Sequence, residues 1–235
     1  VDVLAYANAR KERFVWNVTD KYFSSLARNK LKNSDFTILC NNCVGGGIYH
    51  KFGLKYSTPT IGLFFFSEDY IKFLEQLPRY LKQPPTFSYS SELHPTANEL
   101  MTKTKVYPVA RIDDIEVHFL HYKTAEEALE KWTRRIQRIN WDNLYVVYSD
   151  GGGAAAGADS YDFKEEYFER FTRLPYKNKV FFSAKERGGC AVFIEDFKGK
   201  QCVWDSTISR LYEKYFDVTA WLNGEGICTK KLCRV

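Results

Sequence analysis

The chain has 235 residues, 45% of them hydrophobic and 17% aromatic, which is enough apolar material for a sizeable core and far from the composition of a disordered protein. Lys and Arg exceed Asp and Glu by 34 to 29, and the resulting net charge of +5 is too mild for a dedicated nucleic-acid binder, so no nucleic-acid partner is expected. No apolar run approaches the ~20 residues of a membrane-spanning helix, and Val1 opens the chain without a basic-then-apolar leader, which points to a cytoplasmic protein with no transmembrane segment.

Residues 1–34 carry Tyr22, Phe23 and Leu26 on one helical face. Asp35 to Cys40 is short, apolar and β-prone, as a buried strand is. It runs into Asn41-Asn42-Cys43-Val44-Gly45-Gly46-Gly47, after which Ile48 to Phe52 suits a short helix closed by Gly53. Pro59 breaks the chain before an aromatic strand at Ile61 to Phe66. Ser67 is placed to cap a helix from Glu68 to Leu81, whose apolar positions recur at helical spacing. Residues 82–110, rich in Pro, Ser and Thr, mark a lobe boundary or a long loop.

Beyond them the pattern is regular. Asp113-Asp114 makes a turn, and Ile115 to Tyr122 reads as a strand. Thr124 and Glu127 form a capping box for a helix that buries Ala125, Ala128, Leu129, Trp132, Ile136 and Ile139. Leu144 to Tyr148 is the next strand and ends at Ser149-Asp150, so strand, helix and strand predict a βαβ unit with a parallel pair. Gly151 to Gly157 is a Gly/Ala link. An acidic-aromatic helix over 160–173, strands at Val180–Phe182 and Ala191–Ile194, and a helix over 206–216 complete the chain before the turn at Trp221 to Gly224. The class is α/β, a mixed, mainly parallel sheet layered with helices. It is built as one large domain or as two small lobes, 1–105 with the glycine loop and 106–235 with the βαβ unit.

A strand that passes through glycines into a helix start leaves backbone N–H groups pointing outward, a geometry that receives phosphate or carboxylate. Gly45 and Gly46 are the centre of this candidate site, with Asn41 and Asn42 as amides that bind a ligand oxygen or hold the turn. Cys43, at the positive end of the following helix, is the candidate nucleophile or else a small buried side chain. His50 lies seven residues on, ~10 Å along a helix, so the base for Cys43 comes from elsewhere in the fold. His118 and His121 fall on opposite faces of their predicted strand and are a poor metal pair; His50, His118 or His121 is the candidate base of the reaction. His94 stands in the irregular region with no evident partner. Asp150, at the carboxyl end of a strand, is a candidate metal or ribose contact, or an Asp that caps a turn. Lys131, Arg134, Arg135 and Arg138 put a basic face on their helix, expected to be solvated. The six cysteines, at 40, 43, 190, 202, 228 and 233, are scattered and expected to be reduced; Cys40 and Cys43 lack a second pair at zinc spacing, so no metal is expected.

The segments Asn41-Asn42-Cys43-x-Gly45-Gly46, Ile48-Tyr49-His50, Phe52-Gly53-Leu54 and Thr58-Pro59-Thr60 resemble a bacterial domain-of-unknown-function family, numbered nineteen-nineteen, often found among exopolysaccharide and capsule genes. The likeness continues through Asp69 to Leu74, Ile115 to Trp141, Leu174 to Lys179 and Tyr215 to Asn223, which adds Asn223 to the substrate-binding set. Cys40 stands where the family tends to have a small polar residue, and the Gly/Ala run after Asp150 replaces an expected polar turn.

The resemblance implies a role in making or modifying surface polysaccharide. The expected function is a transferase that binds an anionic activated donor or a glycan precursor at residues 41–47, with polysaccharide-assembly proteins as partners. Cofactors are unknown. The alternatives are a Cys43-dependent acyltransferase or hydrolase, and a non-catalytic glycan- or partner-binding subunit that uses the aromatics of 161–182 as its surface.

Overall fold

The computed structural model describes residues 22, 24–151, 161–203 and 211–227. Its centre is a four-stranded parallel sheet of β1 (Thr37–Cys40), β5 (Leu144–Ser149), β6 (Asn178–Ser183) and β7 (Ala191–Phe193), in that spatial order. All four β1 residues are buried, as expected when both faces of a parallel sheet are covered. The second sheet is antiparallel and joins β2 (Thr86–Ser88), β3 (Val109–Ile112) and β4 (Ile115–His118). The predicted turn at Asp113-Asp114 links β3 to β4, with Asp113 in the left-handed region at φ 56°, which aspartate tolerates. Each sheet draws strands from both sides of residue 105.

The helices are α1 (Val44–Lys51), α2 (Ser67–Glu75), α3 (Leu77–Lys82), α4 (Pro95–Lys103), α5 (Ala125–Ile136), α6 (Glu165–Arg173) and α7 (Val218–Leu222). Strand alternation sorts the parallel sheet's side chains onto two cores. Leu39, Val146, Tyr148 and Phe181 face α2, α5 and α6 through Phe73, Trp132 and Phe171. Ile38, Cys40, Val147 and Phe182 face α1 and the carboxyl-terminal segment through Val44, Ile48 and Trp221.

The α/β class and the mainly parallel sheet hold. Several elements differ from expectation, each for a physical reason. Ile61 to Phe66 is no strand: Phe64 makes an isolated bridge with His118, while Phe65 N–H turns to the Asn41 carbonyl at 2.9 Å, so its backbone groups serve different partners. The expected helix 68–81 breaks at Gln76, because Pro78 has no N–H for the Leu74 carbonyl. The Tyr176 hydroxyl donates to that carbonyl instead, at 2.7 Å. Strands β4 and β5 are not a parallel βαβ pair; β4 joins the antiparallel sheet and β5 pairs with β1 and β6. The stretch 82–110 is not irregular, since it holds β2 and α4. The aromatics of 161–182 are core rather than surface: Phe163, Tyr167, Phe171 and Phe181 pack around Tyr148 or one another. Leu129 is exposed and Arg135 is buried, the reverse of expectation for both.

The residues before 22, most of the Gly/Ala run (152–160) and residues 204–210 of the predicted helix 206–216 lie outside the described residues. Leu211–Lys214 is a 3-10 turn.

The capping box is present. Thr124 Oγ1 accepts from Glu127 N–H at 3.2 Å, and the Glu127 carboxylate reaches back to Lys123 N–H at 3.0 Å. Thr124→Ala is expected to lower stability by about 1 kcal/mol in urea unfolding.

Candidate functional site

Strands β1 and β5 are parallel neighbours whose chains leave in opposite directions. After β1 the chain enters α1, packed on one face of the sheet; after β5 it goes on to α6, packed on the other. Beyond the carboxyl ends of two strands that diverge in this way lies the usual place of a ligand crevice in open α/β sheets. Asn41 bridges those two ends. Its Nδ2 donates to the Ser149 carbonyl at 2.9 Å and its Oδ1 accepts from Ser149 N–H at 3.0 Å, so one side chain extends the β1–β5 ladder. Asn41 is fully buried and both of its amide ends serve the backbone.

Asn42 turns back into the loop: its Oδ1 accepts from Val44 N–H at 3.0 Å and from the Cys40 thiol at 3.2 Å. The amides of Asn41, Asn42, Val44 and Gly45 surround the Cys40 sulfur, yet burial outweighs them and pushes that thiol up to about 11. Two of the first α1 amides are therefore directed inward. Cys43 is the N-cap residue of α1, half-buried, with no side-chain cap bond, and the first turn of α1 holds no acid. A Cβ on Gly45 would stand 3.1 Å from the Cys40 Cβ, which is why glycine serves there, whereas Gly46 looks onto Ile61 at ordinary contact distance.

Asp150 is buried and accepts three hydrogen bonds: from Val203 N–H at 2.7 Å, Ala184 N–H at 3.0 Å and the Ser183 hydroxyl at 3.1 Å. Burial raises its carboxyl above the usual range, and these donors offset part of the rise. It ties the β6 end to the segment at 203. His50 is exposed in the last turn of α1, the far end from Cys43. Asn223 accepts from Lys32 N–H at 2.8 Å and donates to the Lys30 carbonyl at 2.9 Å, away from the crevice loops. His118 ends β4 fully buried, stacked on Phe64 at 4.7 Å, its Nε2 without a hydrogen bond. Burial, with His94 nearby, lowers it to about 3, so it is neutral at physiological pH. His121 lies beyond the strand and is exposed.

Two groupings escaped sequence reasoning. At the start of α2, His94 stacks on the N-cap residue Phe66 with ring centroids 3.6 Å apart. Its Nε2 meets Asp69 Oδ2 at 2.6 Å. Asp69 is 3% exposed and also accepts from Glu116 N–H at 3.2 Å. Burial raises the Asp69 carboxyl, and His94 works against that rise. Beside the dyad, Asp162 accepts from the buried Ser67 N–H and hydroxyl, at 2.5 and 3.0 Å. An imidazole held by a buried carboxylate through one ring nitrogen is the arrangement of an oriented general base. The second grouping is Arg135 with Tyr122, on the other side of the same loop. Nothing local in the sequence links residues 25 or 13 positions apart; a His beside a Pro-started helix was the one available sign for the first.

Among the described residues no set of three or more His, Cys, Asp or Glu is placed to hold a metal ion, and no helix is long and apolar enough to cross a membrane.

The model of the family described as Domain of unknown function (DUF1919) matches residues 15–223. A protein of Haemophilus influenzae described as an uncharacterized protein is 30% identical over 221 residues, covering 91% of this chain and 93% of its own length. The glycine loop, the β1–β5 crevice, the Asp69–His94 dyad and Arg135 all fall inside the matched span, and the chain belongs to the DUF1919 family.

Proposed function

We propose that this protein is a transferase of surface-polysaccharide biosynthesis that takes an anionic activated sugar donor in the β1–β5 crevice. The observation that carries the reading is the divergence of the chain after two adjacent parallel strands, with Asn42, Cys43 and the glycine loop on one side. His94 is the base that was missing. Its Nδ1, the nitrogen not bound to Asp69, takes the proton of an acceptor hydroxyl while that oxygen bonds to the sugar's anomeric carbon. The bond from that carbon to the donor phosphate breaks, and the phosphate leaves with the electron pair. Asp69 holds the ring and stabilises the imidazolium so formed. Polysaccharide-assembly proteins are the proposed partners.

A second reading, acyl transfer through a Cys43 thioester, is favoured by the half-buried thiol at the N-cap of α1. The glycan-binding subunit loses its main support, since the aromatics of 161–182 are buried.

The test is a thermal-shift screen with nucleotide sugars and acyl-coenzyme A donors. A ligand at a hundred times its Kd stabilises by about 2.7 kcal/mol, and a nucleotide sugar is expected to do so; a panel without any shift would end the transferase reading. With the donor in hand, His94→Gln is expected to cut transfer at least ~100-fold and leave donor affinity unchanged. Cys43→Ala is expected to retain transfer; its complete loss, with iodoacetamide labelling well below pH 8.5, would favour the thioester instead.

A further inference from the structure

Arg135 is 7% exposed, a rare position for a guanidinium. No carboxylate among the described residues pairs with it. Of the three acids of its own helix, Glu126 is exposed in the first turn, Glu127 is engaged by Lys131 at 2.5 Å and Glu130 by Arg134 at 2.6 Å. Arg135 Nη1 donates to the Tyr122 hydroxyl at 2.5 Å and more distantly to the Ile61 carbonyl at 3.5 Å, while the Tyr56 ring lies 5.3 Å from the guanidinium carbon. Neither Nε nor Nη2 is hydrogen-bonded to a described residue. A desolvated charge without a counter-charge costs several kcal/mol. The fold nonetheless holds this one in place.

Its surroundings explain what for. The Tyr122 hydroxyl donates to the Ile61 carbonyl at 2.5 Å, and the Ile61 side chain is the neighbour that a Cβ on Gly46 would meet in the first turn of α1. Cys43 lies within electrostatic reach of the Tyr122 hydroxyl. Gly62, at φ +73°, passes so close to Tyr122 that a Cβ there would stand 3.2 Å from the ring. The Ile61–Gly62 segment that Arg135 Nη1 and Tyr122 bind thus also borders the positive, acid-free end of α1.

We infer that Arg135 is the counter-charge for a bound phosphate or diphosphate group, received between its guanidinium and the first turn of α1. The inference deepens the donor reading above by naming the group that takes the donor's phosphates. Arg135 offers a planar pair of donors that suits phosphate oxygens, and Tyr122 fixes the plane.

Inorganic pyrophosphate and phenylglyoxal test it on the wild-type protein. Phenylglyoxal modification of Arg135, mapped by peptide mass spectrometry, is expected to fall at least fivefold in millimolar pyrophosphate but not in equal ionic strength of chloride. Unchanged modification overturns the inference. Arg135→Met is expected to melt no lower than wild type without ligand, because it removes an uncompensated buried charge, and to lose the pyrophosphate-induced rise. A rise equal to wild type's in that variant also overturns it. Should Arg135→Met fail to fold, Arg135→Lys is read instead, with the pyrophosphate response expected to weaken at least threefold. Protection of Arg135 together with no response to any nucleotide sugar leaves the anion site standing and removes the transferase reading. A nucleotide sugar that binds without protecting Arg135 does the reverse.

Discussion

Alanine at position 41 is expected to cost about 3–5 kcal/mol, a loss on the order of 10 °C in melting temperature for a chain of this size. The Asn41 amide satisfies both the N–H and the carbonyl of Ser149, and Asn41 and Ser149 are both fully buried. Truncation leaves two polar groups dry and unpaired, each costing about 1–3 kcal/mol, and opens a cavity between the ends of β1 and β5. Asn41→Asp separates the two bonds. Its carboxylate still accepts from Ser149 N–H but repels the carbonyl that Nδ2 had served. Its destabilisation relative to wild type is expected to shrink as the pH falls and the acid regains a donor. Denaturant unfolding of the two variants at pH 7 and pH 5 checks this; an Asn41→Ala loss below about 1 kcal/mol would mean that the bridge is not what holds β1 to β5 at this end.

The second large effect is on the pH dependence of stability. His118 has an ordinary value of 6.5 and is held at about 3 by burial, then by His94. The native state therefore binds fewer protons than the unfolded state between these values. Stability contributed by the neutral ring is complete above pH 6.5 and is lost as pH falls toward about 3, at about 1.4 kcal/mol per pH unit. The groups around the ring are Glu116, whose Oε2 is 3.8 Å from Nε2, the Tyr107 hydroxyl at 3.4 Å from Nδ1, and His94. Asp69, Asp150 and Asp162 have the opposite sign: burial raises their carboxyls, so they contribute stability in acid that is lost as pH rises through their folded values. The difference between wild type and His118→Phe isolates the histidine. The phenylalanine ring takes the stacked position between Phe64 and Phe66, and the variant is expected to gain on wild type by several kcal/mol from pH 6.5 to pH 4. Parallel urea-midpoint curves over that range would show that His118 does not titrate as its burial requires.

Local pattern was a good guide where one short segment decides its own structure. The apolar run ending at Cys40, the glycines that follow and Gly53 at φ 59° place β1, α1 and the turn after it. The Thr124–Glu127 box marks the start of α5, and the Asp113–Asp114 turn marks the β3–β4 hairpin. Pattern failed where a segment's partner is distant. Ile61 to Phe66 has a strand's composition, but its backbone is shared between Asn41 and His118. The basic face at Lys131, Arg134, Arg135 and Arg138 looks uniform in sequence, yet Arg135 turns inward.

The sequence by itself determined the α/β class and the position of the glycine loop between a buried strand and a helix. Each of these follows from propensity and periodicity over a few residues. Only the tertiary structure decided what surrounds that loop. It placed β5 beside β1, spent Asn41 and Asp150 on buried backbone groups, set His94 on Asp69, and buried Arg135 against Tyr122 and Ile61 with no carboxylate among the described residues paired to it. Those pairings join residues up to 108 positions apart. Their cost or gain comes from burial, which no local window of sequence contains.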